Sequence, residues 1–298
     1  DHACPTGCEC DADSECATIV EAAGLIETTT AETVNLIRVA AGTYNEYVDV
    51  DTDENVVFIG GPGVEVVHAS EDKVFNIHGS GRVTLRDFRL SAEKRAVECD
   101  GTPTVILERV RLEDHLEYGV KVKGECQTFL DSCFVTTALK AGIRIENSGK
   151  AYAVNTFIVG NGGGDTVAGG VSLSTDTALF EGVNCTIADN DGGSFSGGID
   201  RPTTGLDVTL VNVIFHGNVG TGDLCAGCDM SRCFTGDPGF VVPAGRVEPE
   251  DYQISSGSPA RTGGSSTATG TIPIPDIDYW GEPRDDGTID FGADEYRP

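Results

Sequence analysis

Residues 105–112 read VILERVRL and residues 128–135 read TFLDSCFV, two runs of alternating apolar residues with the same arrangement of side chains. The run recurs as VTLRDFRL before them and as YAVNTFIV, EGVNCTIA and TLVNVIFH after them. Taking the third residue of each run as its anchor, successive anchors lie 22, 23, 24, 29 and 28 residues apart: Leu85, Leu107, Leu130, Val154, Val183 and Val211. A recurrence of this length is typical of a solenoid, in which each unit buries its apolar face only against its neighbours.

A second ladder of aliphatic residues repeats with matching periods, and a small residue precedes each member. The ladder consists of Val97, Val120, Ile143, Val171 and Ile199, and the small residues are Ala96, Gly119, Gly142, Gly170 and Gly198. Like residues can stack every ~4.8 Å only if their strands are parallel. A coil of about 23 residues at ~3.3 Å each has room for three short strands and their corners. The sequence therefore predicts an all-β fold, a single-stranded right-handed parallel β-helix.

Polar residues recur in register with the anchors. One predicted column consists of Glu108, Asp131, Asn155, Asn184 and Asn212, and another consists of Asn161, Asn190 and Asn218. Stacked asparagines can link their side-chain amides between coils, so we assign both columns a structural role. The extra residues of the two longer coils, GNGGGDTVAGG and DNDGGSFSGG, are predicted to bulge from one corner as loops.

The chain of 298 residues carries 48 acidic and 20 basic residues, a formal charge of −28. This balance argues against nucleic-acid binding, which needs a basic surface, and is typical of a protein kept soluble by its charge. No apolar run approaches the ~20 residues of a membrane span. The chain begins at Asp1 rather than at a methionine, from which we expect a processed product whose targeting segment has been removed.

Eleven cysteines are many for a reducing compartment. We expect disulfides at both ends of the solenoid, with the pairing open, among Cys4, Cys8, Cys10, Cys16, Cys225, Cys228 and Cys233. The alternative for the last three is a zinc site, which would need a fourth ligand. Because the count is odd, at least one thiol stays free or pairs with another chain. Cys133 falls in a column with Val110 and Phe157 and is expected to be buried and inert.

The pattern predicts three regions within one structural domain: a cysteine-rich cap with a short helix (1–36), the coils (37–222), and a cysteine-bearing turn with an irregular closing segment (223–298). The helix is expected in residues 17–27, capped by Asp13 or Ser14. It covers one end of the solenoid, where an open edge would invite polymerisation. Residues 241–298 cover the other end or a flank, with Trp280 packed over the last coil.

The chain resembles secreted and cell-surface right-handed parallel β-helix proteins of the pectate-lyase-like superfamily. The opening similarity lies in the amphipathic helix, then IRVAAGTYNE, then NVVFIGG. The coils AGGVSLS and SGGIDRP resemble repeats of bacterial surface β-helices. GDPGF, DYQISSGSPA and DYWGEPR followed by DFGADEY resemble the C-terminal segment that closes such proteins. The resemblance implies the fold and a secreted or cell-surface location.

The resemblance does not extend to the motifs of enzymes on this fold. The sequence has no aspartate pair with a Gly-His-Gly motif as in polygalacturonases, and RIE at residues 144–146 differs from their Arg-Ile-Lys. GTYNE at residues 42–46 is similar to a piece of the pectin methylesterases, but the catalytic aspartate motifs of that family are missing. Since the fold alone does not define a function, activity must be argued from a site.

One candidate site follows from the second ladder. Twelve of the 20 basic residues lie between Arg82 and Lys150, and alternation places polar residues on the outer side of the ladder. The predicted polar patch consists of Glu98, Asp100, Lys121, Lys123, Arg144, Glu146, Ser172, Ser174 and Asp200, with His115 and Tyr118 just upstream. It can be interpreted as a sugar-binding groove or as a ladder of ion pairs, Glu98 with Lys121 and Lys123 with Asp100 and Glu146.

Catalysis at the patch would take one of two forms. In a lyase, Lys121 or Lys123 would be the base, and Arg144 would neutralise the developing carboxylate charge. A hydrolase needs two carboxylates roughly 5–10 Å apart, available from Glu98 with Asp100 or Glu146.

Alternating aspartates make calcium a candidate ligand, although the glycine and distal glutamate of an EF-hand are missing. The candidates are Asp49, Asp51 and Asp53, and Asp189 and Asp191 in a glycine-rich corner. Nothing in the sequence requires a cofactor.

The sequence thus favours a secreted or surface-displayed, non-catalytic β-helix that binds a polysaccharide or surface glycan, or takes part in adhesion or extracellular assembly. The competing hypothesis is a polysaccharide lyase or glycoside hydrolase that uses the patch at residues 98–146. Self-association through the ends of the solenoid is a third hypothesis.

Overall fold

A computed structural model describes residues 16–26, 34–69, 73–163, 169–201, 207–222, 224–284 and 288–297. Within these ranges the chain winds as the predicted right-handed parallel β-helix. In chain order the strands are β1 (Asn35–Arg38), β2 (Gly42–Asn45), β3 (Val48–Thr52), β4 (Asn55–Ile59), β5 (Val64–His68), β6 (Lys73–Gly79), β7 (Arg82–Arg86), β8 (Arg89–Ala92), β9 (Arg95–Cys99), β10 (Thr104–Glu108), β11 (Arg111–Glu113), β12 (Tyr118–Val122), β13 (Gln127–Asp131), β14 (Phe134–Thr136), β15 (Ala141–Ile145), β16 (Lys150–Val154), β17 (Phe157–Val159), β18 (Val171–Leu173), β19 (Leu179–Val183), β20 (Thr186–Ala188), β21 (Ile199–Asp200), β22 (Asp207–Val211), β23 (Val213–His216) and β24 (Cys233–Phe234).

Every third strand belongs to the same sheet, so three parallel sheets form the wall of the solenoid. The first sheet has the order β1-β4-β7-β10-β13-β16-β19-β22. The second has the order β2-β5-β8-β11-β14-β17-β20-β23-β24, and the third has the order β3-β6-β9-β12-β15-β18-β21. The sequence predicted at least two strands in each coil and space for a third, and the third is present.

A short helix, α1 (Ile19–Ala23), contacts β3 at the N-terminal end of the solenoid. Its cap is Thr18, whose hydroxyl accepts from the Glu21 amide while the Glu21 carboxylate accepts from the Thr18 amide. This capping box differs from the expected caps, Asp13 and Ser14, which lie outside the described residues. Glu46 accepts a hydrogen bond from the Val20 amide and attaches the helix to the first coil.

The second ladder has the predicted register. Val97, Val120, Ile143, Val171 and Ile199 are direct neighbours on β9, β12, β15, β18 and β21. The small residues before them are required by close packing against the second sheet. A Cβ atom at Gly119 would lie 2.7 Å from Val135 Cγ1, and one at Gly142 would lie 2.9 Å from Ile158 Cγ2.

The first ladder is correct for its first three members and wrong by one residue for the others. Leu130 pairs with Ala153, and the next inward residues are Gly182 and Leu210, so Val154, Val183 and Val211 are not in the anchor column. Ala153 and Gly182 give little apolar signal, which explains the error. The inward Phe180 packs beside Gly182.

In the corrected register, Asn155, Asn184 and Asn212 do not align with Asp131, as predicted, but with the next residue, Ser132. They occupy the corner between the first and second sheets, where every coil from β7 onward has a left-handed residue with φ between 48° and 60°. The earlier residues at this corner are Asp87, Arg109 and Ser132. Asparagine tolerates this conformation better than most residues, because its short polar side chain can hydrogen-bond locally.

The predicted asparagine ladder is confirmed at the corner between the second and third sheets. Asn190 Oδ1 accepts from both the amide (2.9 Å) and Nδ2 (3.0 Å) of Asn161, and Asn218 Oδ1 accepts from the amide (3.1 Å) and Nδ2 (2.9 Å) of Asn190. Asn161 and Asn190 are fully buried. The ladder satisfies backbone groups that the turn of the corner leaves without strand partners.

The C-terminal tail, residues 238–297, packs along a flank of the solenoid rather than over its end. It includes one 3₁₀ turn, Pro249–Tyr252, and builds a second hydrophobic core on the outer face of the second sheet. That core contains Phe134, Phe157, Val159, Ala188, Ile214, Phe240, Tyr252, Ile254, Ala260 and Ala293. Trp280 lies within the tail against Tyr279, which contacts Phe157, and so does not pack over the last coil. Residues 224–233 pack against the main core at the C-terminal end of the solenoid.

Three asparagines at the left-handed corner hold the tail. Asn155 Nδ2 donates to the Ile277 carbonyl at 2.8 Å, and Arg284 Nη2 donates to Asn155 Oδ1 at 3.1 Å. Asn184 Nδ2 donates to the Asp290 carbonyl, and Asn212 exchanges two hydrogen bonds with the Ser265 backbone. The asparagine side chains at this corner thus connect three successive coils directly to the tail.

The cysteines are only partly as predicted. Cys225 and Cys228 form a disulfide, and Cys16 is disulfide-bonded, whereas Cys4, Cys8 and Cys10 lie outside the described residues. Cys233 carries a free thiol, in contrast to the predicted disulfide, because it continues the second sheet beside Val213. A disulfide that was not predicted joins Cys99 to Cys126 inside the coils.

Two further cysteines, Cys133 and Cys185, are buried thiols, as expected for Cys133. Burial raises the pKa of both to about 12, so neither is reactive at neutral pH. Phe157 does not share the Cys133 column, since it pairs with Phe134.

Candidate functional site

The third sheet presents the predicted polar patch on its outer face. Strand pairing aligns one column, Glu98, Lys121, Arg144, Ser172 and Asp200, as the sequence indicates. Backbone hydrogen bonds to the preceding coil align a second column, Asp100, Lys123, Glu146 and Ser174. The side chains that the sequence grouped are therefore neighbours, apart from His115.

The charges of the patch neutralise one another. Lys123 Nζ lies 2.8 Å from Glu98 and 3.0 Å from Asp100, and Lys121 Nζ lies 3.2 Å from Glu146. Of the predicted pairs, Lys123 with Asp100 is present. Glu98 pairs with Lys123 instead of Lys121, and Glu146 pairs with Lys121 instead of Lys123. Glu98 is already bound by cations from the same and preceding coils, Arg95 at 2.6 Å and Lys73 at 3.3 Å.

Arg144 stands at the centre of the patch. Its Nε lies 3.2 Å from Glu146, and its Nη1 donates to Ser172 Oγ at 2.6 Å. The Tyr118 ring lies beside the same cluster, with Lys121 Nζ 5.9 Å and Lys140 Nζ 5.7 Å from its centroid. Lys140 is paired with Glu117. The cations here are held in place by carboxylates and an aromatic ring.

These environments determine which acid–base roles the residues can perform. Burial by itself would raise the pKa of Glu98, but the hydrogen bond from Lys123 and the charges of Arg95 and Lys73 outweigh it and lower the pKa to about 2. The pKa of Glu146 is also lowered, because Lys121 and Arg144 outweigh its burial. A general acid at neutral pH requires a raised pKa, which is the opposite of the direction at both carboxyls.

Lys123 is equally poorly suited to abstract a proton. Burial would lower the pKa of its ammonium group, but the hydrogen bonds to Glu98 and Asp100 raise the pKa overall. A lysine base needs a pKa lowered towards neutrality. The patch therefore has the electrostatics of a structural ladder.

His115 lies in the core rather than on the patch. It is completely buried at the corner column that continues through Ala138 to the asparagine ladder. Neither of its ring nitrogens has a hydrogen-bond partner of good geometry within the described chain. Burial lowers the pKa of the imidazole to about 3, with a weak opposing effect from the Ala92 backbone. Its predicted place in a binding site is therefore wrong.

The calcium candidates make other contacts. Asp49 Oδ1 is 2.6 Å from Asn76 Nδ2 and 3.1 Å from His78 Nε2, and Asp51 faces the other nitrogen of His78 at 3.3 Å. Asp53 accepts from the amide and hydroxyl of Ser80. Calcium binding at these residues stays a prediction.

In the glycine-rich corner the two aspartates have separate roles. Asp189 is bound by Arg246 through two hydrogen bonds, at 2.6 and 2.8 Å, and by the Tyr252 hydroxyl at 3.1 Å. It thereby attaches the tail, and Arg246 already supplies the positive charge. Asp191 accepts from the Gly193 amide within its own loop. In the part of the chain that the structure describes, no three His, Cys, Asp or Glu side chains form a metal-binding group.

The tail contains a second cluster of buried ionisable groups. Arg284 donates to Glu295 at 2.9 Å, with both side chains almost wholly buried. Burial raises the pKa of Glu295 to about 7 and that of Asp294 to about 6. Their carboxylates accept from backbone amides of the tail, at Asp290 and Ile254, so the cluster fixes the tail loops.

The outer face of the first sheet carries a further group of side chains that the repeat pattern did not single out. It carries an apolar strip along the solenoid axis, made of Leu36, Val57, Ile106 and Phe129, with Thr84 between Val57 and Ile106. Beside the strip lies a polar column made of Asn55, Arg82, Thr104, Gln127 and Lys150. The signal was available, since the strip residues stand one position, and the polar column three positions, before the inward residue of each strand.

None of the described helices is both long and apolar enough to span a bilayer.

No family model and no curated protein sequence matches this chain. Among solved structures, the crystal structure of pectate lyase Pel9A is similar, with a TM-score of 0.52 and 10% identity over 88% of each chain. At this identity the similarity concerns the fold alone. It agrees with the fold that the repeat predicted, and the chain therefore shares the pectate-lyase-like parallel β-helix architecture.

Proposed function

We propose that this protein is an extracellular β-helix that binds carbohydrate without turning it over. The observation that carries the non-catalytic part is the pairing in the polar patch, where both candidate lysine bases are bound to carboxylates. The pKa of Lys123 is raised and those of Glu98 and Glu146 are lowered, all in the wrong direction for acid–base chemistry at neutral pH. Disulfides and the high acidic charge support an extracellular location.

The experiment is a panel of linear polysaccharides, some neutral and some acidic, incubated with the full chain. Binding is measured by affinity electrophoresis, and turnover is measured as unsaturated products and new reducing ends. We expect retention on at least one glycan with no turnover on any. A chain that is retained by none of them would refute the proposal.

A polysaccharide lyase is the second candidate, favoured by the three cations around Tyr118. Burial raises the pKa of this tyrosine, while the charges of Arg144 and Lys140 oppose that rise. If product forms in the panel, Lys121→Ala and Arg144→Ala should abolish it, and the non-catalytic proposal would be wrong. Activity that persists in both variants would place the chemistry elsewhere.

A further inference from the structure

Within the described ranges of this acidic chain, the positive charges that have no side-chain partner lie on one surface. All 20 lysines and arginines lie within the described ranges, and 17 of them have an ion pair, a hydrogen bond or another recorded partner. The three without any such side-chain partner there are Arg38, Arg82 and Lys150. All three project from the outer face of the first sheet, on either side of the apolar strip.

The side chains of the polar column beside the strip also lack hydrogen-bond partners within the described residues. Its five members, Asn55 to Lys150, stack on five successive coils. Across the described part of the molecule, none of their side chains forms a hydrogen bond or ion pair. The third sheet is the opposite case, because its charged side chains are bound to one another. Five hydrogen-bonding groups spaced by ~4.8 Å are thus available to a ligand.

The apolar strip offers an apolar contact surface to the same ligand. Leu36 is 50% exposed, while Val57, Ile106 and Phe129 are half-buried by the side chains around them. Phe129 stacks on Tyr152, with 4.7 Å between ring centroids and 12° between planes, so the ring presents its edge outward. The strip is one residue wide and covers four coil spacings, ~19 Å.

The tail covers the first sheet at one end of the apolar strip and the polar column. The Ile272 amide donates to Glu181 Oε1 at 2.7 Å, on the coil that follows Tyr152. Gly270 lies so close that a Cβ atom there would be 2.0 Å from the same oxygen. A ligand along the strip therefore meets the tail near Tyr152 and extends towards the N-terminal coils.

The geometry points to a linear polysaccharide with anionic groups, bound along the axis on the first sheet with its sugar rings over the apolar strip. This inference rests on the proposed function and adds the site and the ligand chemistry. The coil spacing is comparable to the length of one sugar unit, so successive units meet successive members of the polar column. Arg82 and Lys150 would bind sulfate or carboxylate groups, since charged hydrogen bonds are the strong ones.

A peptide fits this face less well. Extended peptides bind to sheets through main-chain hydrogen bonds at an open edge. Here the strands β4 to β16 are paired on both sides, so this stretch of the first sheet offers side chains and no free backbone groups.

The test compares affinities of full-length variants for carrageenan (sulfated), alginate (carboxylated) and cello-oligosaccharides (neutral). The double variant Arg82→Ala/Lys150→Ala should bind the acidic glycan at least about tenfold more weakly, and Ile106→Thr, which copies the neighbouring Thr84, should weaken it about threefold. Arg109→Ala is the matched control, because it removes an exposed charge that is already paired with Asp87. It should bind as the wild type does.

The outcomes separate the two proposals. If the double variant binds as the wild type does, or if Lys121→Ala and Arg144→Ala lose binding instead, this inference is wrong while the proposed function stands. Tighter binding of the neutral glycan than of both acidic ones would also overturn it. If the wild type binds none of the three, the inference fails together with the proposed function.

Discussion

At the level of single residues, the buried amides of Asn161 and Asn190 link successive coils. Each asparagine accepts from the coil before it and donates to carbonyls of the second sheet, for example Asn190 Nδ2 to Ile158 at 2.9 Å. A buried polar group that loses its partner destabilises by about 1–3 kcal/mol.

We expect Asn190→Ala to lower the free energy of unfolding by about 2–4 kcal/mol, because the Asn161 amide and the Asn218 oxygen both lose a partner. Urea unfolding followed by circular dichroism measures the change. Asn45→Ala, at an exposed position, is the control and should stay within about 0.5 kcal/mol of the wild type. Equal stability of the two variants would contradict the structural role of the ladder.

The burial of His115 makes the stability of the folded chain depend on pH. Its pKa is lowered by burial, so the unfolded chain binds the proton more readily than the folded chain does. The stabilising contribution is fully present above about pH 6.5 and is lost as the pH falls towards 3. Between pH 7 and pH 4, the titration of His115 should lower the free energy of unfolding by about 3 kcal/mol.

The variant His115→Leu removes the titration and also a buried polar ring whose nitrogens make no hydrogen bond of good geometry within the described residues. We expect it to be at least as stable as the wild type at pH 7 and to lose less stability on acidification. Unfolding free energies at pH 7, 5.5 and 4 give the difference between the two proteins. Parallel pH profiles would show that His115 does not titrate on unfolding.

At the level of elements, the tail is held by the corner of the coils as well as by its apolar core. The same left-handed position occurs with a tail contact at Asn155 and without one at Ser132. Glycine adopts this conformation without strain, so a glycine substitution removes the side-chain contact while keeping the backbone.

Asn155→Gly should loosen the tail, because the Ile277 carbonyl and Arg284 Nη2 each lose one of their hydrogen bonds. We expect a loss of about 1.5–3 kcal/mol, typical of hydrogen bonds to charged groups, and faster amide exchange in residues 238–297. Ser132→Gly is the matched control and should leave exchange in the tail unchanged. Equal exchange in both variants would mean that the apolar core alone holds the tail.

The strand registers show which parts of the fold the sequence pattern could predict. The third-sheet columns were predicted in register because the Val97 ladder has a strong aliphatic signal at every member. The first ladder slipped at Ala153, where the inward residue is small and the next residue, Val154, is apolar although it lies on the outer side with Asp131. An apolar pattern indicates which residues are buried. It does not distinguish residues buried inside a coil from residues buried under the tail, because the sequence does not show where the tail lies.

At the level of the whole molecule, charge is arranged in three zones. Residues 1–81 carry 2 basic and 16 acidic residues, residues 82–150 carry 12 and 11, and residues 151–298 carry 6 and 21. The central zone is nearly neutral, and both ends are strongly negative. Like charges within each of the two acidic zones repel one another at low salt.

Salt should stabilise this protein. Between roughly 0.01 and 1 M ionic strength the screening length falls from ~30 to ~3 Å, so repulsion within each acidic zone weakens. We expect the Tm to rise steadily over this range in both NaCl and KCl, measured by calorimetry. A Tm that falls with salt would mean that the ion pairs of the third sheet outweigh the repulsion.

The sequence by itself determined the winding of the chain, the register of the third sheet and the asparagine ladder, because each repeats with the period of a coil and needs only its neighbours. It grouped the polar patch correctly apart from His115, and it paired Lys123 with Asp100 correctly but misassigned the partners of Glu98 and Glu146. Only the tertiary structure decided that His115 is buried, that Cys99 meets Cys126 and that the tail covers the second sheet. It also showed which cations remain unpaired, because partners from different coils and from the tail have no fixed spacing along the chain.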